Sequence, residues 1–309
     1  MKYRNLDSND SIFFDRELAA VKSRTYDVKY PQLKFASGLL IPISGEAGPG
    51  ASSIIYQQWD QMGIGKIISN YADDLPRADV KGAEFSAVVR SIGMSYGWNI
   101  QEIQAARMAG RPLEQRRANA ARRANDQKVN SIAFLGDTAS NLQGLNTNPN
   151  ISAVVLAADG VGALTTFASK VTTPDLIIRD LNRIANKPVE ITNGVEIPDT
   201  MLLPLDVYNL IATTRIPNTD ISLLKYFLAT NPYIKSVEWL TELSTAGSGS
   251  VTRAFAYRKD PEALTLEIPQ SFEQLAPQET GLEVVIPCHS RIGGVLIYYP
   301  LSIAYADGV

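Results

Sequence analysis

SSIIYQQWDQMGIGKIISNY, residues 52–71, reads as extended chain. Its apolar positions are mostly Ile, Tyr and Trp, side chains that suit a pleated, half-buried strand. Gly63 and Gly65 mark a bulge or bend near its end. The turn-rich SGEAGPGA (44–51) precedes it. An acidic connection, ADDLPRADVKGA (72–83), leads on to a second extended run, EFSAVVRSIGMSYGWNI (84–100). Together these predict a long two-stranded excursion. Twenty extended residues reach at most ~65 Å at the usual strand rise. An isolated ribbon of two strands is only marginally stable in water, so Ile54, Ile55, Tyr56, Trp59 and Ile67 need a surface to pack on. A sheet within the same body or the face of a neighbouring subunit would satisfy them equally. Tyr56 and Trp59 are three residues apart, which in a regular strand puts them on opposite faces. One ring is then expected against its own subunit and the other against a neighbour.

Upstream, Met1 to Lys34 reads as an arm. Asp10 or Ser11 can cap a short helix in which Phe14, Leu18 and Val21 recur at helical spacing. Such a helix is marginal alone and has to dock on its own domain or on a neighbour.

Downstream, Asn99 can cap IQEIQAARMAG, which stops at Gly110; Arg111-Pro112 breaks the pattern, Pro being tolerated in a first turn. A hinge is expected there, with Pro112 opening a long helix that runs to Gly136. Leu113, Ala120, Ala121, Ala124, Ile132 and Leu135 form its packing stripe. Arg116, Arg117, Arg122, Arg123 and Lys128 make it locally basic: either a solvated, salt-bridged face or an inner surface that meets polyanion.

GDTASNLQGLNTNPNISAVV (136–155) then leads as a turn-rich hinge into a second body. Its elements read as a helix over Thr173–Lys187, a hairpin turn at Thr192-Asn193-Gly194, two further helices, and a strand in IKSVEWLTEL. Paired strands follow around Asp260-Pro261, and two closing strands around Gly293-Gly294. The class is mixed α+β.

Composition narrows the function. The 309 residues are 45% hydrophobic and 20% charged, a globular balance rather than a disordered one. A net charge of −3 argues against a dedicated nucleic-acid binder. No stretch approaches the roughly 20 apolar residues of a membrane helix. The N-terminus lacks the apolar core of a signal peptide, and a soluble intracellular protein is expected. One Cys (Cys288) and one His (His289) leave no disulfide and few metal or nucleophilic designs. These two are adjacent, so a strand points them to opposite faces. No nucleophile elbow or phosphate loop occurs, and Asp73-Asp74 reads as a solubilising tip. No catalytic, cofactor-binding or metal-binding residue is assigned; a hydrolase built on the second body is the alternative of a different class.

The order of segments, together with TYDVKYPQLK (25–34), KIISNYADDLPRADV (66–80), ARRANDQKVNSIAFLGD (121–137), GLNTNPN (144–150) and PCHSRIGGVLIYYPLSIAYADG (287–308), resembles the tailed-phage and prophage major capsid proteins of the HK97-like fold. The resemblance implies an N-terminal arm (1–34), an extended loop (44–97) and a peripheral domain (98–150) with a spine helix over 112–136. It further implies an axial domain (151–286) and strands returning to the peripheral domain (287–309). It also implies self-association into pentamers and hexamers around double-stranded DNA bound without sequence preference. Scaffolding, portal and decoration proteins are implied partners; a membrane is not. The site would be the virion capsid, assembled in the host cytoplasm. Phe14, Tyr56, Trp59 and Ile67 are the candidate inter-subunit contacts, and the five basic residues of the long helix the candidate inner surface. Lys66 and Lys81 lie in the expected loop, but nothing matches the Lys–Asn cross-linking motif of some members. Encapsulin nanocompartments share the fold and a similar Gly-Asp and Gly-Leu-Asn turn, and are the nearest alternative.

Overall fold

The computed structural model describes residues 30–35, 38–67, 77–110, 114–217 and 219–309. Residues 33–309 form one compact unit, and of the unit before it only residues 30–32 are described. The arm helix with Phe14, the Asp73-Asp74 tip and Pro112 therefore lie outside the described residues.

A short strand β1 (Ile43–Ser44) is followed by β2 (Ser53–Met62) and β3 (Asp79–Val88). The last two pair antiparallel from Ser53↔Val88 to Met62↔Asp79 and form a sheet of their own. The two-stranded pairing ends there. β4 (Arg90–Asn99), the remainder of the second extended run, pairs instead with β12, residues Glu283–Ile292, in unbroken antiparallel register. The ribbon is thus shorter than the 44–97 span expected for it, because β4 belongs to a sheet of the body.

Asn99 caps helix α1 (Ile100–Ala109) through a capping box: its side chain accepts from Gln101 N, and Glu102 accepts from the Asn99 amide. The helix stops at Gly110, whose left-handed backbone (φ 61°) closes the last turn. α2 (Glu114–Leu135) is the expected long helix, 22 residues or about 33 Å at the usual rise. Its N-terminal half stands largely in solvent, while Val129, Ile132, Ala133 and Phe134 are buried. The returning loop satisfies two of its last carbonyls: Leu145 N donates to Ala133 O and Asn146 N to Phe134 O.

The second body contains β5 (Ser152–Val154), α3 (Pro174–Ile191), β6 (Thr200–Pro204), α4 (Leu205–Thr213), α5 (Leu223–Thr230) and β7 (Ser236–Leu240). Then come β8 (Arg253–Tyr257), β9 (Leu264–Glu267), β10 (Gln270–Gln274), β11 (Gln278–Thr280), β12, β13 (Gly294–Ile297) and β14 (Ile303–Asp307). Three expectations change here. α3 runs past Pro188 to Ile191, because Ile177, Leu181, Ile184, Ala185 and Pro188 continue one buried stripe. Asn193-Gly194 is no hairpin turn: at φ 52° and 86° it ends α3, with Gly194 N donating to Val189 O. The strands flanking Asp260-Pro261 do not pair with each other; β8 joins β6 and β14, whereas β9 joins β1 and β13.

The chain's closing residues divide among three sheets. β12 pairs with β4, β13 with β9, and β14 sits between β5 and β8 in the five-stranded sheet β5-β14-β8-β6-β7. They do not join one sheet, because each strand follows its own partner. That five-stranded sheet separates two cores. Leu202, Phe255, Tyr257 and Ile303 face one, with the end of α2. Met201, Leu203, Ala254, Ala256, Ala304 and Ala306 face the other, with α3. Alternation along the strands produces this division, and the alanine face gives α3 room to lie close.

Candidate functional site

The ribbon is rooted on the body by one face. Val89 N donates to Ser52 O at its base (3.0 Å). Tyr56 stacks on its register partner Phe85 (centroids 5.3 Å) and meets Tyr298 edge-on (4.9 Å). Gln58 Nε2 donates to Tyr298 O, and the Tyr298 hydroxyl is 2.9 Å from Thr265 Oγ1. Burial, then the Tyr298 phenol, pushes the Tyr56 phenol above its ordinary pKa. A cleft of about 410 Å³ under this root is lined by Tyr56, Phe85, Asn148 and Tyr298 among others.

The opposite face is open. Ile54, Tyr56 and Gln58 are half-buried, whereas Ile55, Gln57 and Trp59 are exposed, so Tyr56 and Trp59 do lie on opposite faces. Trp59 is 66% exposed and Ile67 97%. Every described residue from Trp59 to Ile67 and from Arg77 to Glu84 is exposed, including Met62, Ile64 and Val80. Apolar side chains in that density on a protruding element mark an interaction surface. The sequence reading missed the root contacts through Gln58, Phe85 and Tyr298; the period-2 spacing of Ile54, Tyr56 and Gln58 was the available signal.

The basic residues of α2 do not form one face. At 100° per residue, Arg116 and Arg123 fall about 20° apart, as do Arg117 and Lys128, and Arg122 points a third way. Consecutive Arg-Arg pairs make this unavoidable. Arg117 is engaged: it grips the Glu102 carboxylate with two 2.9 Å bonds and donates to Gly97 O, tying α1 and α2 to β4. Those bonds hold the Glu102 carboxyl below its ordinary pKa and raise that of Arg117. Lys128 pairs with Asp137 at 3.0 Å, which lowers the Asp137 carboxyl. Arg122 is exposed and makes no ion pair among the described residues.

Cys288 is buried, its thiol pushed up by desolvation, and His289 lies on the other face of β12, opposite Gly93 and Glu273. A charge cluster joins Lys170, Asp159, Asp180 and Arg179. Lys170 and Asp180 are removed from solvent; the ammonium meets Asp180 at 2.5 Å, Asp159 at 3.1 Å and Ala157 O at 2.8 Å, which uses its three donors. Two cations balance two carboxylates, a structural staple. Among the described residues, no group of three or more His, Cys, Asp or Glu side chains is placed to hold a metal ion, and no helix is long and apolar enough to cross a membrane.

The sequence matches the profile of the Major capsid protein family over residues 63–309. In structure, the chain is similar to the capsid chain of the Myoviridae phage XM1, with a TM-score of 0.81 at 18% identity, covering 97% of this chain and 99% of that one. It is similar to a chain of Mycobacterium phage Ogopogo (TM-score 0.62, 12% identity, 96% and 99% covered). A third match is the virus-like particle of Pyrococcus furiosus (0.52, 10%, 86% and 90%). No curated protein matches in sequence.

Proposed function

Since the chain belongs to the major capsid protein family and is a coat protein of the viral shell, we propose that it closes that shell by laying the β2–β3 ribbon over a neighbouring subunit. The observation that carries this reading is the apolar surface the ribbon leaves open: Ile55 and Trp59 on its outer face, and Met62, Ile64 and Ile67 towards its tip, are exposed among the described residues. Rings of such head-to-tail contacts close into pentamers and hexamers, which then tile an icosahedral shell around double-stranded DNA.

On this reading residues 1–34 are the arm, and the ribbon (53–88) is the working part of the extended loop. The long helix with the sheet of β4, β10, β11 and β12 makes the peripheral domain, and the five-stranded sheet β5-β14-β8-β6-β7 with α3 makes the axial domain. DNA is held weakly and without sequence preference, Arg122 being the basic side chain best disposed for it; Arg117 and Lys128 serve the fold. Scaffolding, portal and decoration proteins are the further partners, and assembly takes place in the host cytoplasm. The nanocompartment reading is the alternative, and the family match favours the virus.

Negative-stain electron microscopy with sedimentation velocity tests the proposal. Rings or closed shells are expected from the purified chain. A compact monomer across a wide range of salt and concentration would overturn it.

A further inference from the structure

Trp59 and Gly82 are directly opposite each other in the ribbon. A Cβ placed on Gly82 would lie 2.8 Å from Trp59 Cζ3, 2.9 Å from Cε3 and 3.1 Å from Cη2. The six-membered ring of the indole therefore lies against the bare backbone of residue 82, in space that any side chain there would take. Trp59 is held in this way, yet it is still 66% exposed, which leaves most of the indole open.

We infer that Gly82 is a positioning residue of the clasp: its missing side chain seats the Trp59 indole across the ribbon as a fixed aromatic plate for a second copy of this chain. This rests on the reading of the ribbon as the inter-subunit clasp. Glycine inside a strand weakens it, so its presence opposite the largest exposed side chain calls for a return, and an aromatic ring laid over a cross-strand glycine supplies one. A ring already ordered before docking loses less freedom on binding than one free to swing. The conflict created by a side chain at 82 falls on the ring, the movable end of Trp59, and not on the backbone. Substitution there re-aims Trp59 while leaving the strands paired.

The sign of the effect separates this role from a merely structural one. A β-branched residue raises strand propensity, so if Gly82 were only a weak point, Gly82→Thr would stiffen the ribbon and leave assembly intact or improved. The positioning role has assembly fall. The test uses the full chain as Gly82→Thr, Gly82→Ala, Trp59→Ala and the Gly82→Thr/Trp59→Ala double variant, each followed by sedimentation over a concentration series and by thermal melting of the unassembled subunit. Both Gly82 variants are expected to melt at or above the parent temperature and to need about tenfold more protein for half-assembly, the equivalent of one lost hot-spot contact. The double variant is expected to assemble no worse than Trp59→Ala alone, because both changes remove the same plate. Parent-like assembly of the Gly82 variants beside a defective Trp59→Ala would overturn the inference and leave the clasp standing. Additive losses in the double variant would overturn it too. Normal assembly of Trp59→Ala would overturn the clasp itself.

Discussion

Lys170 carries its ammonium into the interior of the second body, where the side chain has no solvent contact, and Asp180 meets it at 2.5 Å with none either. Ions so placed are strongly destabilising once a partner is removed, because the remaining charge stays buried. Lys170→Met keeps the volume and removes the cation. It is expected to cost about 3–5 kcal/mol in urea unfolding, and a loss below about 1 kcal/mol would show that the cluster is not a staple. Asp159 closes the cluster at the surface. Its hydrogen bond from Arg179, then that from Lys170, holds its carboxyl down at about 2. A carboxyl depressed in the folded state contributes stability above its ordinary pKa of about 4 and loses it as the pH falls toward the folded value. Asp159→Asn should therefore flatten the decline in stability between about pH 4 and pH 2. Equal slopes for variant and parent would contradict that.

Among the elements, the long helix and the turn that follows it depend on one close approach. A Cβ on Gly144 would stand 2.3 Å from Gly136 N and 2.6 Å from Ile132 O, both backbone atoms that cannot swing aside. Gly144→Ala is predicted to cost about 1–3 kcal/mol by forcing the turn off the end of α2, read as a lower urea midpoint; an unchanged midpoint would refute the close-packed turn. At this scale the sequence was most legible where periodicity ran long. The first ribbon strand, the cap at Asn99 and the helix that ends at Leu135 follow from spacing and caps alone, whereas the second ribbon strand begins at Asp79, inside the stretch read as a connection, and ends at Val88. Asn193-Gly194 misled because a left-handed backbone serves a hairpin turn and a helix end alike, and only the buried stripe through Pro188 decides between them. The basic residues of α2 left two readings open, and the ion pairs of Arg117 with Glu102 and of Lys128 with Asp137 are of the salt-bridged kind.

For the whole molecule, strand partners were the least legible part. The alternation of β12, β13 and β14 announces strands but not which neighbours they take. Their three destinations emerge only once Ala304 and Ala306 are seen packing under α3 while Ile303 faces the other core. What was legible was the imbalance in the ribbon, more apolar surface than its own body covers, and that same imbalance carries the account of assembly. Trp59→Ala is predicted to leave the subunit folded and to shift it toward unassembled capsomers or monomers, a contact worth about 2 kcal/mol being repeated around every ring. DNA binding by the isolated subunit is predicted to be weak and to fall steeply with salt; tight binding of a defined sequence at physiological salt would contradict it. The most direct measurement is hydrogen–deuterium exchange of the backbone over residues 53–67 and 77–86, compared between assembled particles and unassembled subunits. If the ribbon is the clasp, these amides exchange rapidly in the free subunit and become strongly protected in the particle. Equal exchange in both states would mean that the subunits are held together by something other than the ribbon.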